Sequence, residues 1–138
     1  MGITVKSEYA LRIMMHLAGC GQNNPVSLTN ILKEAKVPKE FAEKIVSDLR
    51  RANLIVSARG RKGGYQLTKP ANEMSVFEIM AAVDEPQKII KCNFDEECCS
   101  DPESCAIRNL VWRRLWNNII STLKSITLQE LVDNCHKE

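Results

Sequence analysis

Apolar residues recur at helical spacing from the start of the chain. Tyr9, Ala10, Ile13, Met14 and Leu17 share one face and predict a helix over about residues 7–19. Gly19 and Gly21, with Asn23, Asn24 and Pro25, end it. Ser27 is a suitable N-cap for a short second helix, residues 28–35. Val37-Pro38 then breaks the pattern, and Pro38 is placed to open a third helix through about residue 52. Phe41, Ile45, Val46 and Leu49 form its apolar stripe, which leaves Lys39, Glu40, Glu43, Lys44 and Arg50 outside.

The period then changes from helix to strand. Residues 54–58 and 65–68 read as two strands around the loop Arg59-Gly60-Arg61-Lys62-Gly63-Gly64, a β-hairpin with a basic, glycine-rich tip. Ser75 and Glu78 form a capping box for a fourth helix through about Val83. Later, Ile107, Leu110, Val111, Leu115, Ile119, Leu123 and Ile126 trace a stripe along one long helix, and Thr127 with Glu130 caps a short last one, residues 128–133. The expected fold class is mainly α with a small β-hairpin. Two short helices, a third with a polar face and a basic hairpin follow the order of a winged helix-turn-helix, in which the third helix enters the DNA major groove. The long helix is too exposed to stand alone, so its stripe is expected to pack against a second copy as a dimerisation helix. The chain divides into a DNA-binding domain (1–83), a cysteine-rich loop (84–106) and a dimerisation segment (107–138).

Composition sharpens this picture only where it is uneven. The chain has 138 residues, 44% hydrophobic and 26% charged, enough for one compact unit without covalent staples. The first residues lack the basic flank and cleavage site of a signal peptide, and no apolar run reaches the roughly 18 residues of a membrane span. A cytoplasmic protein, with no membrane partner, is expected. The net charge of +2 hides two opposed regions. Residues 33–69 hold ten Lys/Arg against four acids, net +6, which suits a phosphate backbone. Residues 84–105 hold seven acids against two lysines, net −5, which a phosphate backbone would repel. Arg59 suits minor-groove insertion and Arg61 and Lys62 suit phosphate contact, with Gly60 allowing close backbone approach. On the third helix, Glu43 suits acceptance from cytosine N4 and Lys44 donation to guanine; a solvated Glu40–Lys44 ion pair is the plainer alternative. Ser27, Lys39, Glu40 and Arg50 complete the candidate DNA-binding set. No nucleophile–base pair or phosphate-binding loop supports an enzyme or a small-molecule substrate.

The acidic region contains CNFDEECCSDPESC, residues 92–105, with four of the six cysteines. In a reducing compartment such a cluster points to metal or redox sensing rather than to structural disulfides. Zinc sites normally use two pairs of cysteines two to four residues apart, which this spacing does not supply. Iron–sulfur clusters prefer thiolates and accept wider spacing, while bare thiols acting as an oxidation switch stay open. Cys20 and Cys135 stand apart, Cys20 reading as a small apolar residue and Cys135 as tail. His16 reads as packing or surface, and Trp112 and Trp116 as core or dimer contact.

The segments KSEYALR, RGRKGGYQL, AAVDE and ITLQELVDN resemble the IscR/NsrR/RirA (Rrf-type) family over almost the whole chain. The resemblance implies a homodimeric winged-helix transcription regulator, repression being the expected outcome, with an iron–sulfur cluster of the 4Fe–4S or 2Fe–2S type sensing nitric oxide, oxygen or iron status. It also implies three thiolate ligands, the last two separated by five residues. Cys92, Cys99 and Cys105 fit, with Cys98 as an alternate to Cys99. IscR places a histidine three residues after the last cysteine, where this chain has Arg108. NsrR-like members instead use a carboxylate near the start of the first helix of the other subunit, and Glu8 stands at that place. IscR has Ser and Gln where this chain has Glu40 and Lys44, which implies a different operator. Metal-free control by a partner protein, as in CymR of the same family, is the rival within it, together with zinc or thiol oxidation.

Overall fold

The computed structural model describes residues 4–60, 63–84 and 105–135. Its elements are α1 (Val5–Gly19), α2 (Leu28–Ala35), α3 (Lys39–Arg51), β1 (Ile55–Ala58), β2 (Gly64–Leu67), α4 (Val76–Val83), α5 (Arg113–Ser125) and α6 (Leu128–Cys135). A short 3-10 turn, Ala71–Glu73, precedes α4, and a π-helical stretch, Ile107–Trp112, runs directly into α5. The fold is therefore mainly helical with one antiparallel hairpin, as the periodicity implied. Among the described residues no helix is long and apolar enough to cross a membrane.

Helix α1 lies at the centre because its apolar face meets every other layer. Ala10, Ile13, Met14 and Leu17 are buried against Ile31 of α2, Ile45 and Leu49 of α3, Ile79 of α4 and Leu128 of α6, all in one cluster. Burying each such side chain stabilises by roughly 1.5–3 kcal/mol, so this face alone outweighs any single surface contact. The helix begins at Val5, earlier than its apolar stripe suggests, because Thr4 accepts from Lys6 N and caps it.

The turn between α2 and α3 is short: Lys36 takes the left-handed conformation (φ 55°) and Pro38 is the N-cap of α3 rather than its first helical residue. Ala42 is buried where the stripe predicted Phe41, and Phe41 lies at the surface, 37% exposed. Its ring meets Tyr9 edge-on, with centroids 5.4 Å apart. Helix α3 stops in a Schellman motif: Asn53 (φ 61°) donates to Arg50 O and Leu54 donates to Leu49 O, each at 3.0 Å. Leu49 and the following Leu54 are both buried, which sets the angle at which the chain enters the hairpin.

The hairpin pairs Ile55 with Leu67 and Ala58 with Gly64, so both strands lie one residue from the spans read off the pattern. It does not stand free. Val26 N donates to Tyr65 O (2.9 Å) and Tyr65 N donates to Val26 O (2.8 Å), so the α1–α2 connection adds a third short rung. Gly64 permits this approach: a Cβ there would sit 2.4 Å from the Val26 carbonyl. At the far end of the chain, Val76 N donates to Ile126 O and Leu128 N to Met74 O, at 2.9 and 2.8 Å. Both capping boxes form: Ser75 with Glu78, and Thr127 with Glu130. Leu128 is fully buried, so the last helix packs into the core built by α1 to α4. Replacing Gly64 by Ala is expected to cost about 1–3 kcal/mol through this backbone clash and to lower the melting temperature by several degrees. An unchanged thermal unfolding midpoint would contradict it.

Candidate DNA-reading face and cysteine-loop base

Two sets of side chains come from this frame. The first lies on α3 and the hairpin. Lys39, Glu40, Glu43, Lys44 and Arg50 are all exposed on the side of α3 opposite Ala42, Ile45, Val46 and Leu49. Among the described residues no ion pair joins Glu40 to Lys44, so the plainer alternative for these two does not form; the α3 pair is Arg51 with Asp48, at 3.4 Å. Ser27 is exposed at the start of α2, where its Oγ accepts from Asn30 N at 3.2 Å. Arg59 and Gly60 stand exposed at the hairpin tip, Gly60 with φ 113°, while Gly63 N donates to Gly60 O. Arg61 and Lys62 lie outside the described residues.

The second set surrounds the ends of the cysteine loop. Cys92, Cys98 and Cys99 lie outside the described residues, and Cys105 lies within them. Among the described residues no group of three or more His, Cys, Asp or Glu side chains is poised to hold a metal ion. Cys105 is half-buried at the head of the π-helical stretch, and its carbonyl accepts from Asn109 N at 3.1 Å. A helix start carries partial positive charge, which favours a thiolate or an anionic cluster there. The π-helical geometry is itself informative, because such stretches are uncommon and concentrate at functional positions.

On the other side of the loop stands Asp84, the C-cap of α4. Its Oδ2 accepts from Thr4 N (3.0 Å), from Ser7 Oγ (2.8 Å) and, by a short bond, from Thr4 Oγ1. Ser7 is 2% exposed, so its hydroxyl depends on this carboxylate. One residue further along α1, the Glu8 carboxylate points outward, 59% exposed, and pairs with Arg12 at 2.7 Å. The Arg12 guanidinium lies 5.7 Å from the Tyr9 ring centroid, and Tyr9 meets Phe41. The Glu8 carboxylate is thus joined to Phe41 on α3 by consecutive contacts through Arg12 and Tyr9. The sequence pattern named Glu8 but not Asp84, Thr4 or Ser7; the AAVDE segment was the signal that contained it.

Two further residues acquire a setting the pattern did not supply. His16 Nε2 lies 2.7 Å from Asn30 Oδ1 and 3.9 Å from Cys20 Sγ. Cys135 ends α6 and, with Cys20, lines a cavity of about 610 Å³.

Comparison with known proteins agrees with this architecture. The family model Rrf2, described as an iron-dependent transcriptional regulator, matches residues 3–134. The HTH-type transcriptional regulators IscR of Pectobacterium atrosepticum and of Yersinia pestis are each 37% identical over 134 residues, spanning 97% of this chain and 80% of theirs. CymR, the global cysteine regulator of B. subtilis, superposes with a TM-score of 0.79 at 26% identity, over 96% of this chain and 97% of that one. Staphylococcus aureus CymR does so with 0.71 at 30% identity, over 94% and 96%.

Asp84→Ala is expected to strip three donors of their acceptor, cost about 1–3 kcal/mol and speed amide hydrogen exchange at the start of α1. Unaltered exchange over residues 4–8 would contradict the assigned role.

Proposed function

The chain belongs to the Rrf2 family of helix-turn-helix transcriptional regulators, and within it we propose a homodimeric repressor whose operator affinity is set by an iron–sulfur cluster in the 92–105 loop. The observation that carries this reading is the contact path from Glu8 through Arg12 and Tyr9 to Phe41 on the reading helix. It gives an event at the cysteine loop a physical route to the DNA-contacting face.

In this reading α3 lies in the major groove. Glu43 and Lys44 meet base edges, Lys39, Glu40 and Arg50 flank them, and Ser27 lies near the backbone at the head of α2. The wing reaches alongside with Arg59, Gly60, Arg61 and Lys62. The long helix supports dimerisation. Ile107, Leu110, Val111 and Leu115 are 45–60% exposed on one stripe, and no residue of α5 is buried in the single chain. A second copy covering that stripe would contribute about 1 kcal/mol per side chain, since each is already about half covered. It would also set the distance between two reading helices, which a palindromic operator measures.

The donor set fits a cluster. Cys105 sits at a positive helix end, three more thiols lie within the preceding residues, and Glu8 is an exposed carboxylate. Cys92, Cys99 and Cys105 would hold it, Cys98 standing as an alternate to Cys99, with Glu8 of the partner subunit in the remaining position. Bound there, a cluster supplies a site that nitric oxide, oxygen or iron shortage destroys. The protein's own part is mechanical: when Glu8 leaves Arg12, the guanidinium over Tyr9 is released, and Tyr9 bears on Phe41.

Operator DNA is expected to bind with an affinity that falls steeply with salt. Arg59→Ala should weaken it by about 1–3 kcal/mol, and Lys44→Ala should relax discrimination at one base pair by a similar amount. Leu115→Glu should give a 15.6 kDa monomer by light scattering and lose tight operator binding. Fluorescence anisotropy on promoter DNA, before and after removal of iron and sulfide, tests the proposal directly. Equal affinities of the two forms would leave a regulator governed by something other than the loop.

A further inference from the structure

Independently of the cluster, we propose that Cys20 and Cys135 form a second, separate thiol pair that exchanges with a small disulfide in the cavity between α1, α2 and α6. The two residues come from opposite ends of the chain, yet both line this space of about 610 Å³ together with Arg12, His16, Glu34 and Lys36. Each stands at a helix end, Cys20 as the C-cap of α1 and Cys135 as the last residue of α6, so neither sulfur is held inside a helix. Cys135 is exposed and Cys20 is half-buried, and both are free thiols.

The surroundings favour the nucleophile. Asn30 Oδ1 only accepts, so His16 Nε2 at 2.7 Å from it carries a hydrogen. That hydrogen is engaged by Asn30, and the same Nε2 lies 3.9 Å from Cys20 Sγ, beside the sulfur. Arg12 and Lys36 outnumber Glu34 among the charged lining residues, which suits a disulfide bearing carboxylates. The Cys20 thiolate attacks one sulfur of RSSR, forming a mixed disulfide and expelling one RS⁻. The Cys135 thiolate then attacks the Cys20 sulfur, closes the Cys20–Cys135 bond and expels the second RS⁻. Two thiol protons pass to the two leaving thiolates, the protein pair is oxidised by two electrons and RSSR is reduced to two RSH. In a reducing compartment such a bond is transient, as a sensing bond is. It would fasten α6, and so the end of α5, to α1.

The test uses the full chain, purified without oxygen and treated with oxidised glutathione. Alkylation, trypsin digestion and mass spectrometry without reductant follow. The expected product is peptide 13–33 joined to peptide 125–137, two hydrogens lighter than the two together. Cys135→Ser should instead accumulate one glutathione on Cys20. Cys20 and Cys135 both alkylated after treatment, Cys20 joined to a cysteine of the 92–105 loop, or no adduct on Cys20 in the Cys135→Ser protein would each overturn the proposal.

Discussion

One carboxylate ties the end of α4 to the head of α1. Asp84 ends α4, begins the cysteine loop and accepts three hydrogen bonds from Thr4 and Ser7 at the head of α1. Bonds to a charged acceptor are worth roughly 1.5–3 kcal/mol each, and the buried Ser7 hydroxyl makes their loss costlier still. Since α2, α3, α4 and α6 all pack against α1, fixing its head fixes Asp84 relative to that core. The long helix is held at its C-terminal end. The Ile126 and Leu128 backbone groups bond to Val76 and Met74, and the Lys124 ammonium lies 5.1 Å from the Phe77 ring centroid. The segment from Cys105 to Ser125 thus returns to the same body from which the loop departs.

Most of the helices were legible because burial imposes a 3.6-residue period that the residues obey: α2, the stripe of α1 and both capping boxes lie where pattern and cap chemistry placed them. The misses have specific causes. Phe41 is apolar at a stripe position, yet the smaller Ala42 fits under the helix while the ring finds Tyr9 at the surface. The start of α1 was read late because Thr4 caps without contributing to the stripe. The π-helical stretch escaped notice because Ile107, Leu110 and Val111 carry the i, i+3, i+4 spacing of an α-helix.

The candidate site was legible in its residue types and illegible in its partnerships. Charge segregation separated the α3–hairpin region from the acidic loop without any structure. The hairpin tip was read as glycine-rich, but nothing in the sequence identified Val26 as the backbone that Gly64 approaches. Asp84 with Thr4 and Ser7, and Cys20 with Cys135, join residues from distant parts of the chain. Periodicity carries no information on such pairs, since it reports which face of an element is buried and not what it meets.

The central claim is that the loop, based on Asp84 and Cys105, holds an iron–sulfur cluster that biases the reading helices. The most direct measurement is an absorption spectrum with iron, acid-labile sulfide and zinc per chain, on protein purified without oxygen. Near-stoichiometric iron and sulfide with visible charge-transfer bands is the predicted result. Stoichiometric zinc, or a colourless protein after reconstitution with iron and sulfide, would contradict it.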